Sequence, residues 1–150
     1  MKFGLVGLGA IGAIRAAALA KNATCSLAGV FDADPAKSSA VTPGARAFES
    51  LDAMLAAETI DAIIISTPPN THEDFAIRAM TAGKHVLIEK PLAPTVDACS
   101  RIIETSRKTG KIATTGYNHR YFPAAKLVRD IVQSGAIGTL SHVRGFSGHM

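Results

Sequence analysis

The sequence predicts an α/β domain built on a doubly wound parallel sheet, with helices on both faces. Three observations carry this expectation. Short apolar runs rich in β-branched residues alternate with helical patterns along the 150 residues. One run, Asp61-Ala62-Ile63-Ile64-Ile65-Ser66, is apolar on both faces, as a central strand covered from two sides has to be. The chain also opens with a strand, a glycine-rich turn and a helix in immediate succession.

The opening strand is Lys2-Phe3-Gly4-Leu5-Val6, and the helix is expected over 10–20. Between them lies Gly7-Leu8-Gly9-Ala10-Ile11-Gly12, a G-x-G-x-x-G pattern. In this setting each glycine has a separate task. Gly7 permits a tight turn, Gly9 lets a pyrophosphate approach the backbone, and Gly12 lets the helix lie close to the sheet. The amides around Ala10 and Ile11 would then point at the phosphates, where the helix dipole favours negative charge. The pattern gains force from Asp32, which ends the strand-like run Leu27-Ala28-Gly29-Val30-Phe31. An acidic side chain about 20 residues beyond the glycines accepts hydrogen bonds from an adenosine ribose. Together the two signals predict a Rossmann-type dinucleotide site.

Further elements follow in order. Asp34 is placed to cap a short helix with Pro35 at its first position, running to about Val41 and broken by Thr42-Pro43-Gly44. Residues 45–48 suggest a short strand, and Ser50 can cap a helix over 51–57. The Asp61–Ser66 strand ends in Thr67-Pro68-Pro69-Asn70-Thr71-His72, where two prolines stop the ladder. Thr71 and Asp74 form a capping-box pattern for a helix ending at Gly83. His85-Val86-Leu87-Ile88-Glu89 is the next strand, cut off by Lys90-Pro91. The helix over 95–109 should bury Val96, Cys99, Ile102 and Ile103 and stop at Gly110. A strand over 112–116 leads into Tyr117-Asn118-His119-Arg120-Tyr121. Pro123 opens another helix, with Leu127, Val128, Ile131 and Val132 or Ile137 facing inward. Residues 140–146 should begin one more strand, one left unpaired or borrowed and therefore prone to association. In a parallel sheet of this kind, ligands bind beyond the C-terminal strand ends. Residues 7–12, Asp32, 67–72, 89–91 and 117–120 all fall at such ends.

Composition narrows the function. Apolar residues make up 47% and charged residues 19%, which is globular. A net charge of +4 without a basic stripe interleaved with aromatics argues against nucleic-acid binding. No apolar run is long enough to span a bilayer. Residues 1–20 have the outline of a secretory signal, but Arg15 interrupts it and the same residues supply a strand, turn and helix in phase with Asp32. Cys25 and Cys99 show neither metal-ligand nor disulfide spacing, so no metal is expected and a reducing, cytoplasmic setting is.

With Glu89-Lys90-Pro91 the pattern becomes specific. The chain resembles the glucose–fructose oxidoreductase, inositol dehydrogenase and MocA (Gfo/Idh/MocA) family. The matching segments are residues 7–12, Asp32, residues 67–72, Glu89-Lys90-Pro91 and Gly116-Tyr117-Asn118-His119-Arg120. The resemblance implies an NAD(P)-dependent oxidoreductase acting on a sugar, polyol or inositol, in which a second α+β domain supplies an Asp and a His and much of an oligomer interface. Here residues 1–122 would be the dinucleotide domain and 123–150 a linking helix and first strand of a substrate domain otherwise largely absent. The resemblance also implies binding of NAD with little turnover by this chain alone, and a possible homo-oligomer. Its competitor is a non-catalytic NAD-binding sensor or truncated product.

Hydride transfer needs a group to take the hydroxyl proton. Lys90 is the expected partner, its backbone set by the following proline and its charge form disfavoured by partial burial. Thr67, Pro68, Asn70 and His72 would line the nicotinamide ribose. Glu89 would orient Lys90 or pair locally, and Asn118 and Arg120 would meet cofactor or substrate. His119 is a remote candidate for proton relay. Asp32 favours NAD over NADP by repelling a 2′-phosphate, with Lys37 and Ser38 keeping NADP as the lesser alternative. Arg15 is expected to be a solvated helix residue.

Overall fold

The computed structural model of the protein describes residues 1–39 and 44–146. They fall into two compact units, the first Met1–Gly116 and the second beginning at Tyr117.

The first unit is a six-stranded sheet formed by β1 (Lys2–Val6), β2 (Ser26–Phe31), β3 (Arg46–Ala47), β4 (Ala62–Ile65), β5 (His85–Ile88) and β6 (Ala113–Thr115). Every neighbouring pair is parallel, in the order β3-β2-β1-β4-β5-β6. Five helices connect them: α1 (Ala10–Ala20), α2 (Pro35–Ser39), α3 (Leu51–Leu55), α4 (His72–Thr81) and α5 (Val96–Thr109). The order reverses between β1 and β4, so the loops leaving these strands diverge and open a crevice at their C-terminal ends.

Alternation along the strands divides the core in two. Leu5, Val30 and Ile64 pack with Ala16 and Leu19 of α1 on one face. Val6, Ile63, Ile65, Val86 and Ile88 pack with Leu51, Met54, Ala76, Met80 and Ile102 from α3, α4 and α5 on the other. All four residues of β4 are buried, as its apolar run requires.

Local signals act largely as the sequence suggests. Asp34 Oδ1 accepts from the Ala36 amide at 3.1 Å and Ser50 Oγ from Ala53 at 3.1 Å. Thr95 Oγ1 accepts from Ala98 at 3.2 Å, a cap the sequence pattern had not marked. Gly110 ends α5 at φ 66°. The far end of the helix expected to reach Val41, and its break at Thr42-Pro43, lie outside the described residues.

Four expectations need correction. Thr71 does not cap α4. A 3₁₀ turn over Pro69–Thr71 places Thr71 in helical backbone geometry, and its hydroxyl turns back to the Pro68 carbonyl at 2.8 Å. On α5 the buried face is Ala98 and Ile102, while Val96 (81% exposed) and Ile103 face solvent. The 3.6-residue period admits both faces, and the small Ala98 is the one that fits against the core. In the second unit, α6 (Pro123–Gln133) forms as expected, but Leu127, Val128 and Ile131 are exposed, as is Ile137. Among the described residues of that unit no second layer covers them. Residues 140–146 form no strand: a strand requires a neighbouring ladder, and the described residues of this unit include none.

Candidate functional site

The sheet register builds the site. Val6 pairs with Phe31 and with Ile65, Ile65 with Ile88, and Ile88 with Thr115. The next residue of each strand therefore falls in a single row: Asp32, Gly7, Ser66, Glu89 and Gly116. Backbone hydrogen bonds continue into that row. The amides of Gly7, Ser66, Glu89 and Gly116 donate to Phe31, Val6, Ile65 and Ile88 at 2.8–2.9 Å. Residues 84 positions apart in the chain thus share one rim, with Asp32 at one end and Gly116 at the other.

At the centre of the rim the three glycines are constrained differently. Gly7 has φ 87°, and a Cβ there would stand 2.7 Å from the Ser66 backbone. A Cβ on Gly12 would stand 2.1 Å from the Gly7 carbonyl oxygen, so α1 can start this close to the sheet only with glycine at that point. Ser66 Oγ fixes the same carbonyl, donating to Gly7 at 2.8 Å. Gly9 is the opposite case: a Cβ there would meet nothing within 4 Å. Its lack of a side chain leaves space in front of the helix. Gly9 is also the N-cap of α1 and supplies no side-chain acceptor, and the first turn contains no acidic residue. The leading amides of α1 are left for an external acceptor.

Across the turn stands Asp32, half-buried. Its Oδ2 accepts from the Leu8 amide at 2.7 Å and its Oδ1 from the Asp34 amide at 2.9 Å. Burial would raise its pKa, but the Leu8 and Asp34 amides and the charge of Lys37 outweigh burial and leave it below its ordinary value. Each carboxylate oxygen retains acceptor capacity toward the cleft. Lys37 Nζ lies 4.0 Å from both Asp32 and Asp34, half-exposed, and Ser38 Oγ accepts from the Asp32 amide at 3.1 Å.

These groups line a cleft of about 570 Å³. Gly7, Gly9, Ala10, Ile11, Asp32, Thr67 and Pro68 of the expected residues are in its wall. Phe31, Ala33, Ser66 and Phe75 line it too, although the sequence reading did not single them out. Ser66 was legible as the last residue of the strand run. Phe75 was not, because its entry depends on how α4 is rotated. The fit to a dinucleotide is good: a helix start without its own cap, open space over Gly9, and a fixed carboxylate at the adjacent strand end.

The remaining residues occupy the rest of the rim or the second unit. Asn70 is exposed on the 3₁₀ turn. His72 has no exposed surface; its Nδ1 lies 2.9 Å from the Pro91 carbonyl and its Nε2 2.9 Å from that of Thr67. The ring thereby ties the loop after β4 to the loop after β5. Lys90 is exposed, where partial burial was expected. The lysine that the fold does bury is Lys84, whose Nζ donates to Ala57 and Ile60 at 2.9 and 2.8 Å. Arg15 is not a solvated residue. It crosses from α1 to Glu89, its Nε donating to Oε1 at 2.5 Å. Asn118, His119 and Arg120 are exposed in a 3₁₀ turn over Asn118–Tyr121, with the His119 ring 4.8 Å from that of Phe122 and the Arg120 guanidinium 5.8 Å from that of Tyr121. Among the described residues, no cluster of three or more His, Cys, Asp or Glu could hold a metal ion, and no helix is long and apolar enough to cross a membrane.

Comparison with known proteins agrees with this fold. The model of an oxidoreductase family with an NAD-binding Rossmann fold, GFO_IDH_MocA, matches residues 1–117. The chain is 37% identical over 148 residues to an inositol 2-dehydrogenase of Rhizobium meliloti, covering 95% of this chain and 44% of that one. It is 28% identical over 145 residues to a glucose-6-phosphate 3-dehydrogenase of Bacillus subtilis, covering 95% and 41%. Among solved structures, a scyllo-inositol dehydrogenase of Lactobacillus casei with bound NAD(H) and scyllo-inositol superposes with a TM-score of 0.85 at 28% identity, covering 92% of this chain and 42% of that one. The chain thus spans less than half the length of these relatives.

Proposed function

This chain belongs to the Gfo/Idh/MocA family of oxidoreductases and carries its NAD-binding Rossmann fold, and from that premise we propose that it is the cofactor-binding part of a dehydrogenase for an inositol, sugar or related polyol. The observation that carries the proposal is the juxtaposition of the uncapped α1 N-terminus with the Asp32 carboxylate at one cleft. Bound NAD supplies the hydride acceptor. The chain's own residues do the rest. The α1 amides hold the pyrophosphate, and Asp32 accepts from the adenosine ribose hydroxyls. That same carboxylate, kept ionised by its two amide donors, repels a ribose 2′-phosphate and favours NAD over NADP. Thr67 and Pro68 edge the cleft where the nicotinamide ribose would lie, and His72 holds their loop from behind.

Lys90, as the neutral amine, is the partner of the substrate hydroxyl, taking its proton on Nζ as hydride leaves the carbon. It follows directly on the rim residue Glu89, and its side chain is exposed and forms no ion pair among the described residues. Asn118 and Arg120 are candidates for contact with cofactor or substrate, and His119 for proton relay. Two free thiols, Cys25 and Cys99, suit a cytoplasmic protein. The relatives named for inositol and glucose-6-phosphate support a polyol class of substrate.

The test is nicotinamide absorbance on a polyol panel, run alongside NAD calorimetry. Binding of NAD by the chain with little turnover, and turnover of an inositol or sugar by a longer protein containing it, is the expected result. Binding without turnover in either would favour a non-catalytic NAD sensor.

A further inference from the structure

The Thr71 hydroxyl, which does not cap α4, stands in the cleft wall beside Thr67. Its Oγ1 lies 2.8 Å from the Pro68 carbonyl oxygen and 2.6 Å from Thr67 Oγ1. A carbonyl can only accept, and a hydroxyl has one proton to give. The Thr71 proton therefore lies on Pro68, and between the two hydroxyls Thr67 is the donor. That commits the only proton of Thr67 as well. Thr67 Oγ1 keeps lone pairs, and among the described residues no protein donor meets them. The side chain is held from both sides. A Cβ on Gly7 would stand 2.9 Å from Thr67 Cγ2, so the methyl group faces the glycine turn while the hydroxyl faces Thr71. His72 Nε2, 2.9 Å from the Thr67 carbonyl, holds the backbone.

The polarity of the cleft wall then alternates along the rim. Asp32, after β2, only accepts. The leading amides of α1, after β1, only donate. Thr67, after β4, again only accepts. The order acceptor, donor, acceptor follows the strand order β2, β1, β4. It matches a ligand that carries a hydroxylated ribose on each side of a pyrophosphate. We propose that Thr71 is a positioning residue: it fixes the polarity of Thr67, so that Thr67 Oγ1 accepts from a hydroxyl of the ribose on the nicotinamide side. The inference rests on the NAD reading given above, and adds to it the contact and the residue that aims it. A hydroxyl free to rotate in the wall would donate as readily as accept and would not set this order.

Calorimetry with two probes, NAD and ADP, tests this on the folded chain. ADP carries the adenosine ribose and the pyrophosphate but lacks the second ribose. Thr67→Val removes the acceptor and should weaken NAD about fivefold, as expected for one neutral hydrogen bond, with ADP unchanged. Thr71→Val frees the Thr67 hydroxyl to turn and should weaken NAD about threefold, again on the scale of part of one such bond, with ADP unchanged. Thr71→Ser keeps the relay and should bind NAD like the parent. Because Thr71 acts only through Thr67, the double valine variant should bind NAD no more weakly than Thr67→Val alone. The proposal is wrong if either valine variant binds NAD as tightly as the parent, if Thr71→Ser loses as much as Thr71→Val, or if the two losses multiply in the double variant. Equal losses for ADP would also overturn it, since a merely structural role lowers both probes together. Should Thr71→Val fail to fold by circular dichroism, Thr67→Val still decides. A parent protein that binds neither probe refutes the cofactor reading itself, whereas a parent that binds both and variants that match it refute only the role of the two threonines.

Discussion

Two helices of this molecule begin at the same rim and are built on opposite plans. α5 opens after β5 with Thr95, whose hydroxyl accepts from the amide of Ala98, and it carries Asp97 in its first turn. α1 opens after β1 with Gly9, which offers no side chain, and it carries no acid in its first turn. The third helical position is Ala98 in one and Gly12 in the other, although alanine is the better helix former by about 1 kcal/mol. α5 satisfies its own leading amides. α1 leaves them exposed and moves close to the sheet. In a helix built for stability alone both choices are losses, and the difference is what the proposed cofactor site at α1 accounts for.

The comparison can be broken in order of effect. Gly12→Ala gives α1 the residue that α5 has, and forces a methyl group against the Gly7 carbonyl. Despite the gain in propensity, denaturant unfolding should show a loss of about 2 kcal/mol, typical of overpacking. Gly9→Asp gives α1 a cap of its own. Affinity for NAD should fall more than about tenfold, or 1.4 kcal/mol, while the melting temperature holds or rises. Thr95→Ala makes α5 resemble α1 and should cost about 1 kcal/mol of stability with NAD affinity unchanged. Such a change in affinity would show that the two N-termini do not divide their tasks as described.

The smallest effect is on pH. Asp32 has a lower pKa folded than unfolded, because the amides of Leu8 and Asp34 and the nearby Lys37 outweigh burial. The unfolded chain therefore binds this proton more tightly. The contribution of Asp32 to stability is full above the ordinary carboxylate range and is lost as pH falls through its lowered folded value. Acid titration of Asp32→Asn should show a weaker loss of stability over that range than the parent protein.

What the sequence revealed follows from how local each requirement is. The glycine turn, the place of Asp32 at a strand end and the caps at Asp34 and Ser50 are settled by a few neighbouring residues, and they were legible; the cap at Thr95 is of the same local kind and went unread. Thr71 carried the same pattern as a cap, but two prolines upstream wound the chain into a 3₁₀ turn first, and its hydroxyl went to Pro68. Arg15 and Glu89 meet only because the register sets β5 within reach of α1, which no window of sequence contains. The burial of His72 between two carbonyls is of the same kind. Leu127, Val128 and Ile131 were expected to face inward and are exposed, because periodicity says which side of a helix is apolar and not what covers it.

The central claim is that the bare amides of α1 and the Asp32 carboxylate hold one dinucleotide between them. Calorimetric titration of the folded chain with NAD, paired with Asp32→Ala, tests it most directly. Saturable heat with the parent protein, weakened about tenfold or more in the variant, is the expected result for loss of charge-assisted hydrogen bonds. A parent protein that gives no heat, or a variant that binds NAD as tightly as the parent, would contradict it.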